Sequence, residues 1–122
     1  MLELVARIRH TNTLAISDWA FPYWPQIETV DISLTQGMPK VLDVLELLKP
    51  NFKIGRIWQA EEFVATNTEA NIKAFDASFA EIPDVTVTRL AHVEFKKLVP
   101  DAIGLIRTGD STPYGNIILE SV

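Results

Sequence analysis

Phe52-Lys-Ile-Gly-Arg-Ile-Trp58 begins a run of three segments within residues 52–90 that indicates the fold class. The other two are Thr66-Asn-Thr-Glu69 and Val85-Thr-Val-Thr-Arg-Leu90. The first and last segments alternate apolar and polar side chains, which is the pattern of half-buried β-strands. The middle segment is a capping-box pattern, and it precedes apolar side chains at helical spacing, namely Ile72, Phe75 and Phe79. A strand, a helix and a further strand in this order predict parallel strands that are joined by a helix.

The same alternation of elements extends to both sides of this unit. Before it, we expect a helix over Met1–Arg9, a strand over Leu14–Ile16, a strand over Thr29–Leu34, and a helix with Pro39 in its first turn that Pro50 stops. After it, we expect a short helix that follows His92 and strands over Ile103–Ile106 and Ile117–Leu119. The sequence therefore predicts an α/β fold with a mainly parallel sheet that helices cover on both faces.

Size and composition limit the classes of function. A chain of 122 residues fits one domain over 1–122, and a hydrophobic fraction of 48% favours further burial against other subunits. The net charge of -5 does not provide the electrostatic attraction that nucleic-acid binding needs. We therefore expect no nucleic-acid partner. The lack of cysteine excludes disulfides, thiolate nucleophiles and zinc-thiolate sites. No apolar run reaches the length of a membrane span and the N-terminus lacks the pattern of a signal peptide, so we expect no membrane partner and a cytoplasmic location.

The two histidines lie where an apolar element meets a polar turn. Histidine exchanges protons near neutral pH with little tuning, so His10 and His92 are candidates for proton transfer or ligand binding. Ligands of parallel α/β sheets bind outside the carboxyl ends of the strands. Asp18 and His92 follow predicted strands, and the turn that carries His10 is expected to fold beside them.

Each candidate also has a structural interpretation. Either histidine can be a structural residue, Asp18 can cap a turn, and Gly115 most simply supplies a turn with positive φ. The aromatic stretch Trp19–Trp24 fits a core or subunit interface as well as a ligand wall. The adjacent Glu61 and Glu62 are interpreted as a solvated pair, and two histidines so far apart make a poor metal site.

Five segments together resemble the D-ribose pyranase and L-fucose mutarotase family (RbsD/FucU). They are His10-Thr-Asn-Thr-Leu14 with Asp18 after it, Leu34-Thr-Gln-Gly-Met-Pro39, His92-Val-Glu-Phe-Lys96, Ile106-Arg-Thr-Gly109 and Tyr114-Gly-Asn-Ile-Ile-Leu119. The blocks occur in the family's order over nearly the whole chain. The chain begins later than ribose pyranases usually do, so we expect one strand of the family fold to be absent.

The resemblance implies a three-layer α/β/α subunit with Rossmann-like topology and a homo-oligomeric ring, a pentamer or decamer, with sites at subunit boundaries. It implies cofactor-free interconversion of the ring forms of a free monosaccharide, with no metal. His10 matches the family's proton donor, and the sugar-binding positions match Asp18, His92, Tyr114, Asn116 and, through its backbone, Gly115.

The resemblance leaves the substrate and the mode of action open. His92 and Leu34-Thr-Gln-Gly37 favour the ribose branch of the family, whereas Phe21-Pro22 and Tyr114-Gly-Asn116 are closer to the fucose branch. One alternative to an isomerase is a sugar-binding or transport-accessory module that uses the same pocket without turnover. A structural ring-forming protein is a further alternative, and it predicts no monosaccharide binding at all.

Overall fold

The computed structural model describes residues 1–122 and contains six β-strands, five α-helices and one 3-10 helix. In chain order, the elements are α1 Leu2–Val5, β1 Thr13–Ser17, β2 Glu28–Asp31, α2 Val41–Leu48, β3 Ile54–Ala60, α3 Glu62–Thr66, α4 Glu69–Ala80, β4 Thr86–Leu90, α5 His92–Leu98, the 3-10 helix Val99–Asp101, β5 Gly104–Arg107 and β6 Ile117–Ser121. None of the five helices has the length and apolar character that crossing a membrane requires.

The six strands form one sheet in the order β2-β5-β1-β6-β3-β4. The pairs β2–β5, β1–β5 and β3–β4 are parallel, and β6 pairs antiparallel with both β1 and β3. Five strands therefore run in one direction and β6 alone runs against them. The carboxyl ends of the five strands and the amino end of β6 meet at the same edge, which is called the carboxyl edge below.

Both faces of the sheet are covered by apolar packing. In β1, Leu14 and Ile16 enter the larger core with the buried faces of α2 and α4, whereas Ala15 enters a smaller core with Phe21 and Phe95 on the opposite face. This alternation follows from the period of two along a strand. The predicted three-layer α/β/α fold with a mainly parallel sheet is confirmed, and β6 is its antiparallel exception.

The first helix is shorter than the pattern over Met1–Arg9 predicted. The chain leaves the helix after Val5 and forms a turn over residues 9–12, in which the backbone N–H of Arg9 donates to Oδ1 of Asn12 at 2.8 Å. Thr11 has a φ of 68° in this turn. Local hydrogen bonds of an asparagine side chain compete with a helix in this way.

The helix after Gly37 begins later than predicted. Lys40 is the N-cap of α2, and its backbone N–H donates to Oδ2 of Asp43 at 2.8 Å. Pro39 therefore lies before the helix and not in its first turn. The bond between Met38 and Pro39 is cis.

Helix α3 was missed by the sequence pattern. The predicted capping box began at Thr66, but Thr66 ends α3, and Thr68 is the N-cap of α4 with Oγ1 accepting from the backbone N–H of Asn71 at 3.2 Å. A helix of five residues is too short to display a 3.6-residue period. Its buried Phe63 packs against Phe75, with ring centroids 4.6 Å apart.

Candidate functional site

Asp18 and Asn116 are brought together by the antiparallel pairing of β1 with β6. Ile16 is paired with Ile117, so Asp18 leaves β1 at the point where Asn116 leads into β6. The backbone N–H of Asp18 donates to Oδ1 of Asn116 at 2.7 Å. Both residues are buried, at 9% and 5% exposure, and this bond fixes the Asn116 amide at the carboxyl edge.

The Asp18 carboxyl group lies in an environment that favours its neutral form. Burial is the main cause that raises the pKa of Asp18 above its ordinary value of 3.8. Backbone N–H groups of Ala20 and Phe21 oppose this shift, and Oδ1 accepts from Ala20 at 3.1 Å. Among the nearby charges, Asp110 raises the pKa of Asp18 and Arg107 lowers it. A carboxyl group of this kind can exchange a proton at less acidic pH than an exposed aspartate.

His92 is the first residue of α5, directly beyond the carboxyl end of β4. Its ring stands edge-on to Tyr114, with centroids 5.0 Å apart, and is stacked near Phe95 at 6.2 Å. Burial, followed by the Lys96 charge, lowers the pKa of His92, while Glu62 raises it. The imidazole is therefore neutral at neutral pH, and its buried Nδ1 has no hydrogen-bond partner within the chain.

The loop before β6 supplies a further wall. Tyr114 has a φ of 56°, whereas Gly115 does not have a positive φ, so the prediction of a positive-φ turn at Gly115 was wrong by one residue. The backbone N–H of Gly115 donates to the carbonyl of Thr112 at 3.1 Å, and a Cβ at residue 115 would lie 3.1 Å from that same oxygen. The close approach of the two backbones, and not the dihedral angle, favours glycine there.

These groups surround a pocket of about 230 Å³ at the carboxyl edge. Its lining consists of Asp18, Ala20, Phe21, Pro22, His92, Pro113, Tyr114 and Asn116. Four predicted side chains therefore meet in one small pocket, and Gly115 lies in the same loop without lining it. Phe21 also stands edge-on to His92, with centroids 6.4 Å apart, so the aromatic stretch contributes both core and pocket wall.

His10 does not join this pocket within the chain, so the expectation that its turn folds beside Asp18 and His92 was wrong. The backbone N–H of Thr11 donates to Ser121 at the carboxyl end of β6, which places the turn at the opposite edge of the sheet. Strand β1 lies between the turn and Asp18, and five residues at about 3.3 Å each separate them by roughly 15 Å or more. His10 is exposed there.

Sequence reasoning missed the charged side chains that bond to the backbone of the pocket residues and of their neighbours. Both carboxylate oxygens of Glu62 accept from the backbone N–H of His92, at 3.0 and 3.2 Å, so the interpretation of Glu62 as a solvated residue was wrong.

Two further charged residues hold the backbone around the pocket. The carboxylate of buried Asp110 accepts from the backbone N–H groups of Val41 and Thr112. Arg107 donates to the carbonyl groups of Trp19 and Pro22 at 3.2 and 3.3 Å. The one sequence signal for these roles was position, since Arg107 ends β5 and Asp110 follows it.

A larger cleft lies elsewhere and has a different character. Its volume is about 660 Å³, and it is lined by Glu46, Lys49, Pro50, Lys53, Ile54, Glu81, Ile82 and Pro83. The ammonium group of Lys49 is already paired with Glu46, Glu81 and the hydroxyl and carbonyl oxygens of Ser78. None of the predicted site residues lies there, so the larger cleft is not the candidate site.

Comparisons with known proteins agree on one family. The model of the RbsD / FucU transport protein family matches residues 1–122. A D-ribose pyranase of Staphylococcus haemolyticus is 34% identical over 119 residues, which cover 98% of this chain and 88% of that protein. A D-ribose pyranase of Geobacillus thermodenitrificans is 34% identical over 118 residues, which cover 97% and 86%.

Solved structures extend this likeness to three dimensions. Bacillus subtilis RbsD complexed with D-ribose matches with a TM-score of 0.89 and 32% identity, over 98% of this chain and 88% of that chain. The fucose mutarotase of Streptococcus pneumoniae in complex with L-fucose matches with a TM-score of 0.70 and 14% identity, over 98% and 89%. The second likeness shows the shared fold.

Proposed function

Because the chain belongs to the RbsD/FucU family, we propose that it interconverts the ring forms of a free monosaccharide in the pocket at the carboxyl edge. The chain is thus an isomerase of the D-ribose pyranase and L-fucose mutarotase type. The observation that carries this proposal is the convergence of Asp18, His92, Tyr114 and Asn116 on one small pocket. The names of the relatives favour an enzyme over a binding module or a structural ring-forming protein.

The chemistry requires only balanced proton transfers. When a cyclic sugar opens, the anomeric hydroxyl loses its proton, the bond between the anomeric carbon and the ring oxygen breaks, and the ring oxygen gains a proton. Reclosure through the same or another hydroxyl reverses these transfers and yields the other anomer or ring size. Positioned acid and base groups each contribute about 10²- to 10⁴-fold to such steps. No redox change occurs, and no cofactor is consumed.

The side chains of the pocket can bind a sugar through hydrogen bonds and ring contacts. We assign His92 and Asn116 to hydroxyl groups, since a neutral imidazole and an amide both donate and accept hydrogen bonds. Tyr114 presents an aromatic ring to the CH face of the sugar and a hydroxyl to its polar edge. Asp18 accepts a hydrogen bond from a sugar hydroxyl or orients the proton donor. Gly115 contributes through its backbone carbonyl, because its N–H is already bonded to Thr112.

His10 is proposed as the proton donor, and its position requires a second copy of the chain. The turn over residues 9–12 lies at the far edge of its own sheet, and His10 is exposed there. In a homo-oligomeric ring, a pentamer or decamer, this turn would reach the carboxyl edge of a neighbouring subunit. Each site would then combine His10 of one subunit with Asp18, His92, Tyr114 and Asn116 of the next.

The proposal is tested by NMR exchange spectroscopy on free aldoses. The chain should accelerate exchange between the ring forms of D-ribose or L-fucose above the uncatalysed rate, with saturation as the sugar concentration rises. His10→Ala should lower the acceleration by at least about 10²-fold. Ser33→Ala is the control, because Ser33 is exposed like His10 but does not line the pocket. Saturable binding without acceleration in the unaltered protein would establish the binding module instead.

The same screen distinguishes the ribose branch of the family from the fucose branch. The relative with a bound D-ribose shares 32% identity, and the pyranases share 34%, so D-ribose is the first sugar to test. The cytoplasmic location that the sequence suggests stays a prediction.

A further inference from the structure

Glu61 and Glu62 are neighbours in sequence with different surroundings. Glu61 is exposed, and its side chain makes no hydrogen bond or ion pair. Glu62 is half-buried, and both of its oxygens accept from the backbone N–H of His92 at 3.0 and 3.2 Å. A carboxylate that accepts a backbone N–H forms a charge-assisted hydrogen bond, which is stronger than a neutral one. Glu62 therefore holds the start of α5, where His92 enters the pocket.

The other end of α3 contacts the opposite wall of the same pocket. Asn67 follows α3, and its Nδ2 donates to the carbonyl of Pro113 at 2.7 Å and to the carbonyl of Phe63 at 3.0 Å. Pro113 lines the pocket and directly precedes Tyr114. Phe63, in the middle of α3, is fully buried and anchors the helix in the larger core.

We propose that Glu62 and Asn67 are positioning residues for sugar binding, and that α3 sets the spacing between the His92 wall and the Pro113–Tyr114 wall. The inference rests on the proposed function of this pocket. It gives a role to α3, a helix of only five residues in which Phe63 is the one buried side chain. Neither Glu62 nor Asn67 lines the pocket, so both act through the residues that they hold.

The geometry and the charge of Glu62 have separable effects. The hydrogen bonds fix where the His92 ring stands, 5.0 Å from the ring of Tyr114. The negative charge favours the imidazolium form of His92 and so opposes the effect of burial. Glu62→Gln keeps an oxygen that accepts the N–H but removes the charge, whereas Glu62→Ala removes both. The pair of variants thus distinguishes position from electrostatics.

The first experiment compares Glu62→Ala and Glu62→Gln with Glu61→Ala and Glu61→Gln. Ring exchange of D-ribose gives KM and kcat, and NMR titration of the imidazole gives the pKa of His92. We expect Glu62→Ala to raise KM by roughly tenfold, which corresponds to the loss of one ordinary hydrogen bond, with a smaller change in kcat. Glu62→Gln should keep KM within about threefold of the unaltered value and still lower the pKa of His92. The two Glu61 variants should leave all three quantities unchanged.

The second experiment tests whether both ends of α3 act together. Asn67→Ala should raise KM by several-fold. Asn51→Ala is the matched control, because it also removes a bond of 2.7 Å from an asparagine amide to a backbone carbonyl, that of Leu47, outside the pocket and outside α3. If one rigid helix couples the two walls, the double variant Glu62→Ala with Asn67→Ala should raise KM by less than the product of the single effects. Strictly multiplicative effects would show that α3 does not join the two walls and would overturn that part of the inference.

The outcomes separate this inference from the proposed function. If the unaltered protein accelerates exchange but Glu62→Ala behaves like Glu61→Ala in KM and in the pKa of His92, the positioning role is refuted. If the unaltered protein does not accelerate exchange, the proposed function fails. The inference is then judged on D-ribose affinity and on the Tyr114 ring signals, which Glu62→Ala should shift and Glu61→Ala should not. Thermal unfolding verifies that each variant is folded.

Discussion

The backbone N–H of Asp18 and Oδ1 of Asn116, separated by 98 positions in sequence, are joined by a hydrogen bond of 2.7 Å. The bond links the end of β1 to the start of β6, so each of two proposed sugar-binding residues orients the other. Oδ1 of Asn116 uses one of its two lone pairs for this bond, so the amide nitrogen and the other lone pair remain for a ligand. Asn116 is thus expected to contribute both to the stability of the fold and to sugar binding.

Asn116→Leu should impair stability and binding together. The substitution leaves the N–H of Asp18 buried without a partner, which costs about 1 to 3 kcal/mol. Urea unfolding should show this loss, and D-ribose exchange should show a KM raised by at least about tenfold. Asn51→Leu serves as the control for both measurements, because it removes an exposed bond to the carbonyl of Leu47 and does not touch the pocket. An Asn116→Leu protein of unaltered stability would contradict the described bond.

Asp18→Asn should make the fold more stable at neutral pH while it impairs the enzyme. The pKa of Asp18 is raised in the folded state, so ionisation costs more there than in the unfolded chain. This cost is absent below the ordinary pKa of 3.8 and is complete once the pH exceeds the raised value. The difference in unfolding free energy between Asp18→Asn and the unaltered protein should therefore grow as the pH rises through that window.

Urea unfolding at several pH values measures this difference, and the amide of asparagine retains the oxygen that accepts from Ala20. Ring exchange should fall by at least about tenfold if Asp18 contributes as proposed. Asp31→Asn is a useful contrast, because its hydrogen bonds with Ser33 lower the pKa of Asp31. That substitution should destabilise the fold, with the full loss above the ordinary pKa of 3.8 and a smaller loss as the pH falls towards the lowered value. Equal behaviour of the two variants would exclude burial as the cause.

The carboxyl edge was predictable from sequence because its residues follow recognisable strands. Asp18 comes after an apolar strand, His92 comes after the alternating Val85–Leu90 segment, and the carboxyl ends of parallel strands share an edge. The same rule misplaced His10, since His10 precedes β1 and the rule applies only to residues that follow a strand. Turn direction depended on the contact between Thr11 and Ser121, which no local pattern encodes.

The supporting residues were not predictable for a different reason. Glu62 and Asn67 bond to His92 and Pro113, which are 30 and 46 positions away in sequence. Such partners are determined by tertiary packing, and charge alone made Glu62 indistinguishable from its exposed neighbour Glu61. The antiparallel direction of β6 was equally hidden, because Ile117–Leu119 has the apolar character of any buried strand.

Acid should weaken sugar binding through His92. Burial, aided by Lys96, lowers the pKa of His92 below 6.5, so the folded chain binds fewer protons than the unfolded chain in that window. Stability should therefore rise with pH between the lowered value and 6.5. Below the lowered value the ring becomes charged and loses its acceptor nitrogen, so D-ribose affinity should decrease.

NMR titration between about pH 5 and pH 8 measures both the pKa of His92 and the affinity. In the His10→Ala protein, His92 is the only histidine, which makes its signal unambiguous. His92→Gln should flatten the acid side of the affinity profile because a neutral amide does not titrate. An acid-induced loss of affinity that persists in His92→Gln would assign the effect to another group.

Mixed oligomers should reveal whether the site combines two subunits. His10→Ala and Asp18→Asn proteins are each expected to keep at most about a tenth of the unaltered rate, because every site in either homo-oligomer lacks one proposed group. When the two are refolded together, about a quarter of the sites in a random, equal mixture should contain both intact residues. Ring exchange should then recover to roughly a quarter of the unaltered rate.

The matched control is a mixture of His10→Ala with a double variant that carries both substitutions. No site of that mixture contains an intact His10, so it should stay as inactive as its components. The opposite edges that His10 and Asp18 occupy in one chain are the reason for expecting recovery. If exchange recovers only to the sum of the separate proteins, His10 and Asp18 must act within the same chain or not together at all, and the intersubunit site is wrong.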